Sequence, residues 1–221
     1  MSKKLVIFGI GDIGELAAYL FGLHTDYEIA AFCVDKEYAK EPEFMGKPLV
    51  AFEDVPAKFP PSEYAMFVAI GYSKINKVRE EKYLAAKAAG YTLATYISPH
   101  ATVFENVELG DNCFIFEDNT VQPFVKIGSN TILWSGNHVG HHTTIGNHCF
   151  ITSHTVISGR CDIGNNVFIG VNATLRDHLK IGNHCVIGAG TVLLKDAEES
   201  QVFIAQSTEA SPVPSHRLRG I

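Results

Sequence analysis

From Ile97 onward the chain carries an aliphatic residue at every sixth position: Ile97, Val103, Leu109, Ile115, Val121, Ile127, Leu133, Val139, Ile145, Ile151, Ile157, Ile163, Ile169, Leu175, Ile181, Ile187 and Leu193. A helix repeats every ~3.6 residues and a strand about every two, so neither accounts for this spacing. A solenoid with six-residue edges does, and the pattern predicts a hexapeptide β-helix. Gly110, Gly128, Gly146, Gly164 and Gly182 recur 18 residues apart on top of it. Three hexapeptides therefore make one triangular coil, and the glycine marks the same corner each time. Residues two before each aliphatic are mostly small (Cys113, Thr131, Thr143, Cys149, Thr155, Cys161, Ala173, Cys185, Thr191) and are expected to point inward where space is least. Asn119 and Asn137 share that register and are expected to form internal hydrogen bonds. Such a solenoid has long flat faces that must be covered or paired, so side-by-side oligomers are expected.

Ahead of the repeat the pattern changes. Leu5 to Phe8 is a short apolar run closed by Gly9-Ile10-Gly11-Asp12-Ile13-Gly14; Glu15 to Leu23 reads as a helix and Ile29 to Val34 as a second buried strand ending at Asp35. This is a β-α-β unit. Its glycines either seat a phosphate on free N–H groups at the helix start or simply make the strand-helix turn, and Asp35 could meet a ribose or another polar group of a nucleotide. Met66 to Ile70 reads as another strand ending at Gly71, and Lys74 to Ala89 as a charged helix. The fold class expected is a small Rossmann-like α/β domain with a parallel sheet three or four strands wide (1–95), an all-β parallel β-helix (96–196) and a tail (197–221). The sheet is short for a dinucleotide, and a mononucleotide is the better-sized guest.

Composition narrows the partners. A net charge of −6 and a pI near 5.9, with no basic tract, argue against nucleic acid or an anionic membrane surface. No stretch approaches the ~18 apolar residues of a membrane span, and a cytoplasmic location is expected. The five cysteines form no CxxC pair, and four fall in the inward register. Ten histidines are many for 221 residues. His142, His148, His154, His178 and His184 all stand third after an aliphatic residue, so they are expected to be solvent-facing scaffold features; changes at His148 or His184 should matter little. His141 lies one place earlier, within Asn137-His138-Val139-Gly140-His141-His142, and stands outside that series. It is the candidate general base.

A small Rossmann-like domain, then Phe67-Val68-Ala69-Ile70-Gly71, then Ile97-Ser98-Pro99-His100-Ala101-Thr102-Val103 opening an uninterrupted hexapeptide helix, resembles the sugar acyltransferases of the sialic acid O-acetyltransferase and bacillosamine N-acetyltransferase group. The resemblance runs from Val6 to about Asp196. It implies a left-handed β-helix, a homotrimer with active sites between subunits, acetyl-CoA as acyl donor with no metal, and a nucleotide sugar held by the N-terminal domain. The family motif His-acid-x-x-[IV]-Gly matches His141-His142-Thr143-Thr144-Ile145-Gly146, which carries the catalytic histidine onto His141, with His138 next in line. His142 stands in place of the family's acid; either a carboxylate such as Glu117 or Asp118 approaches, or the base works unassisted. Phe150 stands where the family has the histidine that meets the acetyl group. By the same likeness Val171, Gly188 and Ala189 line coenzyme A, and Gly11, Asp12, Asp35 and Gly71 meet the nucleotide. The family's Gly-His-Gly turn is Asp12-Ile13-Gly14 here, and its aromatic-Gly-x-Pro-Ala tail is Phe203-Ile204-Ala205-Gln206-Ser207-Thr208.

Three readings follow. The first is acyl-CoA-dependent N-acylation of a nucleotide-linked amino sugar, or alternatively O-acylation of sialic acid or another sugar. The second is a γ-carbonic-anhydrase-like zinc hydratase, with His142 and His178 two coils apart but Asn183 where a third ligand is needed. The third is a non-catalytic nucleotide-sugar-binding scaffold.

Overall fold

Leu5, Val6, Ile7 and Phe8 are buried on both sides of their strand, as a central parallel strand with helices on its faces requires. The computed structural model describes residues 3–217. The N-terminal part runs β1 (Lys3–Phe8), α1 (Asp12–His24), β2 (Tyr27–Val34), β3 (Glu43–Phe44), β4 (Lys47–Ala51), α2 (Val55–Lys58), β5 (Tyr64–Val68) and α3 (Lys77–Ala88). The sheet order is β3-β4-β2-β1-β5, parallel except for β3 against β4. The sheet is therefore one strand wider than the pattern suggested. The added hairpin turns at Met45 and Gly46, both left-handed (φ 49° and 70°), the geometry of a tight two-residue turn. Helix α3 also begins three residues later than expected, because Lys74, Ile75 and Asn76 form a left-handed turn (φ 52°, 53° and 65°).

The solenoid has three faces. The first stacks the strands at 96–97, 114–115, 132–133, 150–151, 168–169, 186–187 and 202–203; the second those at 102–103, 120–121, 138–139, 156–157, 174–175 and 192–193; the third those at 108–109, 126–127, 144–145, 162–163 and 180–181. From Val103 onward the second residue of each strand packs into the interior, whereas Ile97, on the terminal coil, is exposed. Outward residues differ by face: Tyr96, Phe114, Ile132, Phe150, Phe168, Val186 and Val202 on the first, and Glu108, Lys126, Thr144, Asp162 and Lys180 on the third. The N-terminal domain packs on the apolar first face, where Phe21 and Phe67 join Tyr96, Phe114 and Phe116 in one core. The corner glycines exist for close stacking: a Cβ on Gly146 would lie 2.6 Å from the Gly164 carbonyl oxygen.

All five cysteines are buried. The four in the solenoid donate Sγ–H to a carbonyl of the next coil, as Cys149 does to Gly164 at 3.1 Å. Burial pushes the Cys113 and Cys149 thiols up to about 12. All four should therefore resist a maleimide in the native state and react on unfolding; rapid native labelling of all four would contradict the repeat register. The asparagines behave as expected: Asn119 Nδ2 donates to the Phe116 and Trp134 carbonyls, and Asn137 Oδ1 accepts from Thr155 N–H at 2.8 Å.

The histidine series has a different cause from the one expected. His142, His148, His154, His178 and His184 all have φ of 58° to 61°, at the corner position that also takes Asn112, Asp118, Asn130, Asn166 and Asn172. Asn, Asp and His tolerate this left-handed conformation best among residues with a Cβ. His148 is not solvent-facing: it is 8% exposed, its Nδ1 lies 2.8 Å from Asn130 Nδ2, its ring meets Tyr83 of α3, and Nε2 is 3.7 Å from Glu80. Burial, and then the Arg79 cation, outweigh Glu80 and lower its proton affinity. The unfolded chain then binds more protons than the native one as pH falls below the ordinary histidine value of 6.5. Stability should begin to fall there and stop falling below the native value, and His148→Gln should flatten that limb of a melting-temperature series between pH 7.5 and 5.

Candidate active site

Two candidate regions lie on different parts of the chain. The first is a cleft of ≈ 460 Å³ at the edge of the first face, walled by Asp12, Ile13 and Leu16 of α1, Tyr72 after β5, and Trp134, Phe150, Thr152, Ser153 and Val171 of the solenoid. Its position follows from topology. The chain moves from β1 to one side for β2 and β4, then crosses to the other for β5, so the loops after β1 and β5 part at the carboxyl edge of the sheet. Gly9 and Gly14 there are packing glycines, since a Cβ on either would lie 2.5 Å or less from a carbonyl oxygen; a Cβ on Gly11 meets nothing within 4 Å, and its backbone is open to a ligand.

The wall is mostly apolar. Phe116, Trp134, Phe150 and Phe168 stack in one ladder up the solenoid, with Tyr72 set edge-on to Phe150 at 5.1 Å. Of the residues read from the sequence, Asp12, Phe150 and Val171 line this cleft. Gly71 adjoins it, its carbonyl accepting from the Arg79 guanidinium at 2.8 Å. Asp35 follows β2, does not line the cleft and is ion-paired with Lys82 at 2.5 Å. Ala189 stands on the corner of Val171, one coil further on; Gly188 beside it is held by the last strand, its N–H donating to the Phe203 carbonyl at 2.8 Å. Trp134, Tyr72, Thr152 and Ser153 were not among the residues read from the sequence.

The second candidate region is the corner between the second and third faces, remote from the docked first face. His141 and His142 are exposed there, with their Nδ1 atoms 3.1 Å apart and their rings at 88°. The His141 N–H donates to Gln122 Oε1 at 2.9 Å, and its ring lies over Gly159, where a Cβ would be 2.9 Å from Cε1 and Nε2. His138 is half-buried on the second face, between Thr120 and Val156. Glu117 and Asp118 stand on another corner, and Glu117 accepts from Ser135 Oγ at 2.6 Å; within one chain neither backs His141. The zinc set does not converge either: His142 and His178 share the exposed corner, whereas Asn183 and His184 belong to the next, with Asn183 Oδ1 accepting from Asn165 N–H at 2.7 Å. Among the described residues no group of three candidate ligands could hold a metal, and no helix is long and apolar enough to cross a membrane.

Residues 124–159 and 160–195 match the family described as bacterial transferase hexapeptide (six repeats). No curated protein matches the chain. Among solved structures, the acetyltransferase domain of PglB from Neisseria gonorrhoeae is similar over 90% of this chain and 95% of its own, at 23% identity and a TM-score of 0.81. PerB from Caulobacter crescentus, solved with CoA and GDP-perosamine, is similar over 90% and 92%, at 24% identity and a TM-score of 0.80. WeeI from Acinetobacter baumannii follows at 20% identity over 90% and 94%, with a TM-score of 0.69. The fold is thus a small α/β domain on a left-handed β-helix.

Proposed function

We propose that this protein is an acyltransferase that moves an acetyl group from acetyl-CoA to the amino group of a nucleotide-linked sugar, as a homotrimer in which His141 of one copy serves the cleft of the next. The observation that carries the reading is the level of the two regions along the solenoid. His141 lies nine residues after Ile132 and nine before Phe150, half a coil from each. With coils about 4.8 Å apart, copies arranged side by side at equal height bring His141 level with Trp134, Phe150 and Thr152, the solenoid wall of the cleft. A corner that carries a candidate base then meets a cleft lined by no histidine. The fold shared with PerB and the PglB domain supports the same chemistry, since the former was solved with CoA and GDP-perosamine.

His141 takes the proton of the attacking amine as its nitrogen adds to the thioester carbonyl, and no covalent enzyme intermediate is needed. The cleft residues Tyr72, Trp134 and Phe150 offer ring faces to the sugar or base, and open backbone at Gly11 offers N–H groups. Val171, Gly188 and Ala189 form the edge along which coenzyme A lies. Asp12 is one observation that favours a second acceptor: a carboxylate in the first turn of α1 opposes a phosphate at that helix start. It favours a sugar acylated on a hydroxyl and carrying no phosphate at that point.

The test is thiol release from acetyl-CoA with a panel of nucleotide-linked 4-amino sugars and free sugars, together with light scattering. Acceptor-dependent release by a trimer is expected. A monomer at micromolar concentration, or no release with any acceptor and no thermal shift with CoA, would overturn the proposal.

A further inference from the structure

A histidine base depends on what holds its other ring nitrogen, because that partner sets the tautomer. Among the described residues the partner of His141 there is not a carboxylate but His142. Two imidazoles with Nδ1 atoms 3.1 Å apart satisfy each other only if one carries a proton and the other does not. The His142 ring is held in turn by Phe124, one coil below, at 4.6 Å between centroids and 33°. Phe124 is itself anomalous. It takes the left-handed corner conformation (φ 65°), where the other coils mostly use Asn, Asp or His, and it is 56% exposed. A bulky aromatic in that conformation is an outlier. Neither its backbone nor a buried core calls for an aromatic there, and its ring contacts His142.

We propose that Phe124 and His142 form a positioning unit that takes the place of a carboxylate behind His141. Phe124 fixes the His142 ring, His142 Nδ1 accepts from His141 Nδ1–H, and His141 Nε2 is left as the basic nitrogen. This rests on the acyl-transfer reading above. As the acceptor nitrogen bonds to the thioester carbon, Nε2 takes its proton; the C–S bond then breaks and the thiolate leaves as free thiol with that proton. His142 must be neutral to accept. The coil below presents Gln122, Pro123 and Phe124, none ionisable, and the coil above presents Gly159 and Arg160. Slight desolvation by its neighbours, then Arg160 and then His141 hold the exposed His142 imidazole below its ordinary value.

Two measurements test the unit. Imidazole ¹⁵N spectra near pH 8 should show His141 protonated on Nδ1 and His142 on Nε2, with the preference at His141 lost in Phe124→Ala and kept in Phe124→Tyr. His141 protonated on Nε2 would overturn the proposal without any activity assay. In turnover, His142→Ala should lower kcat about 10- to 100-fold with KM little changed. His142→Asp should retain activity but move the acidic limb of the kcat profile to higher pH, because a carboxylate raises the proton affinity of His141. If His141→Ala is inactive while His142→Ala matches wild type in kcat and pH limb, the positioning role falls and the base stands. Full activity in His141→Ala overturns both.

Discussion

Replacing His141 by alanine is expected to lower kcat by about 10²–10⁴-fold, or roughly 3 to 5 kcal/mol of transition-state stabilisation, while assembly and melting stay nearly unchanged. Stability should be insensitive because the side chain is exposed and its hydrogen-bond partner is another exposed histidine. Its backbone contacts, N–H to Gln122 and carbonyl from Arg160 N–H, survive the change. KM for both substrates should move far less than kcat, since the lost interaction belongs to proton transfer and not to binding. The measurement is kcat and KM for His141→Ala and His138→Ala with the acceptor that wild type uses. Retention of more than about a tenth of kcat, under ~1.4 kcal/mol, would place the base elsewhere. His138, outward on the second face three residues earlier, is then the first alternative.

The solenoid was legible because its signal is geometric: one aliphatic per six residues admits no other fold, and the 18-residue glycine series follows from coils stacked too closely for a Cβ. The same period held a further reading that the six-residue count hides. Taken every 18 residues, the positions just before the inward aliphatics are all apolar on one face, from Tyr96 and Phe114 to Val186, and charged or threonine on another, from Glu108 to Lys180. That contrast identifies the face the N-terminal domain covers, and with it Phe150 and the neighbouring Trp134 as cleft residues. The histidines were harder. Their spacing reflects a left-handed corner that accepts His, Asn and Asp alike, and whether a given corner faces water or α3 depends on docking that local sequence does not encode. Hence His148 is buried against Tyr83 while His142 is exposed, though both occupy the same register.

Arg79 is the case in which a charge in an apparently solvent-facing helix turns out to hold the two halves together, and Arg79→Met is expected to cost about 3–5 kcal/mol, lowering the melting temperature by on the order of 10 °C. The side chain is fully buried, yet no carboxylate pairs with it among the described residues. Its guanidinium donates instead to the Gly71, His148 and Cys149 carbonyls at 2.8 to 3.0 Å, to the Asn130 carbonyl at 3.3 Å and to Asn76 Oδ1 at 3.2 Å. It also lies over the Phe150 ring at 5.5 Å. Burial lowers its pKa to about 10, so it stays charged at neutral pH. Methionine keeps most of the volume but leaves those buried acceptors without donors, each worth about 1–3 kcal/mol and not additive. Since the acceptors come from both the loop after β5 and the solenoid corner, α3 should undock first, and proteolysis within residues 71–77 should precede melting of the solenoid. Arg79→Lys should restore only part of the loss, because an ammonium cannot span acceptors placed for a planar fork. Lys87→Ala, which removes a partly exposed pair between α3 and Asp111 of the solenoid, should cost no more than about 1 kcal/mol. An Arg79→Met protein that melts like wild type and resists protease in that loop would show that apolar packing on the first face holds the domains without it.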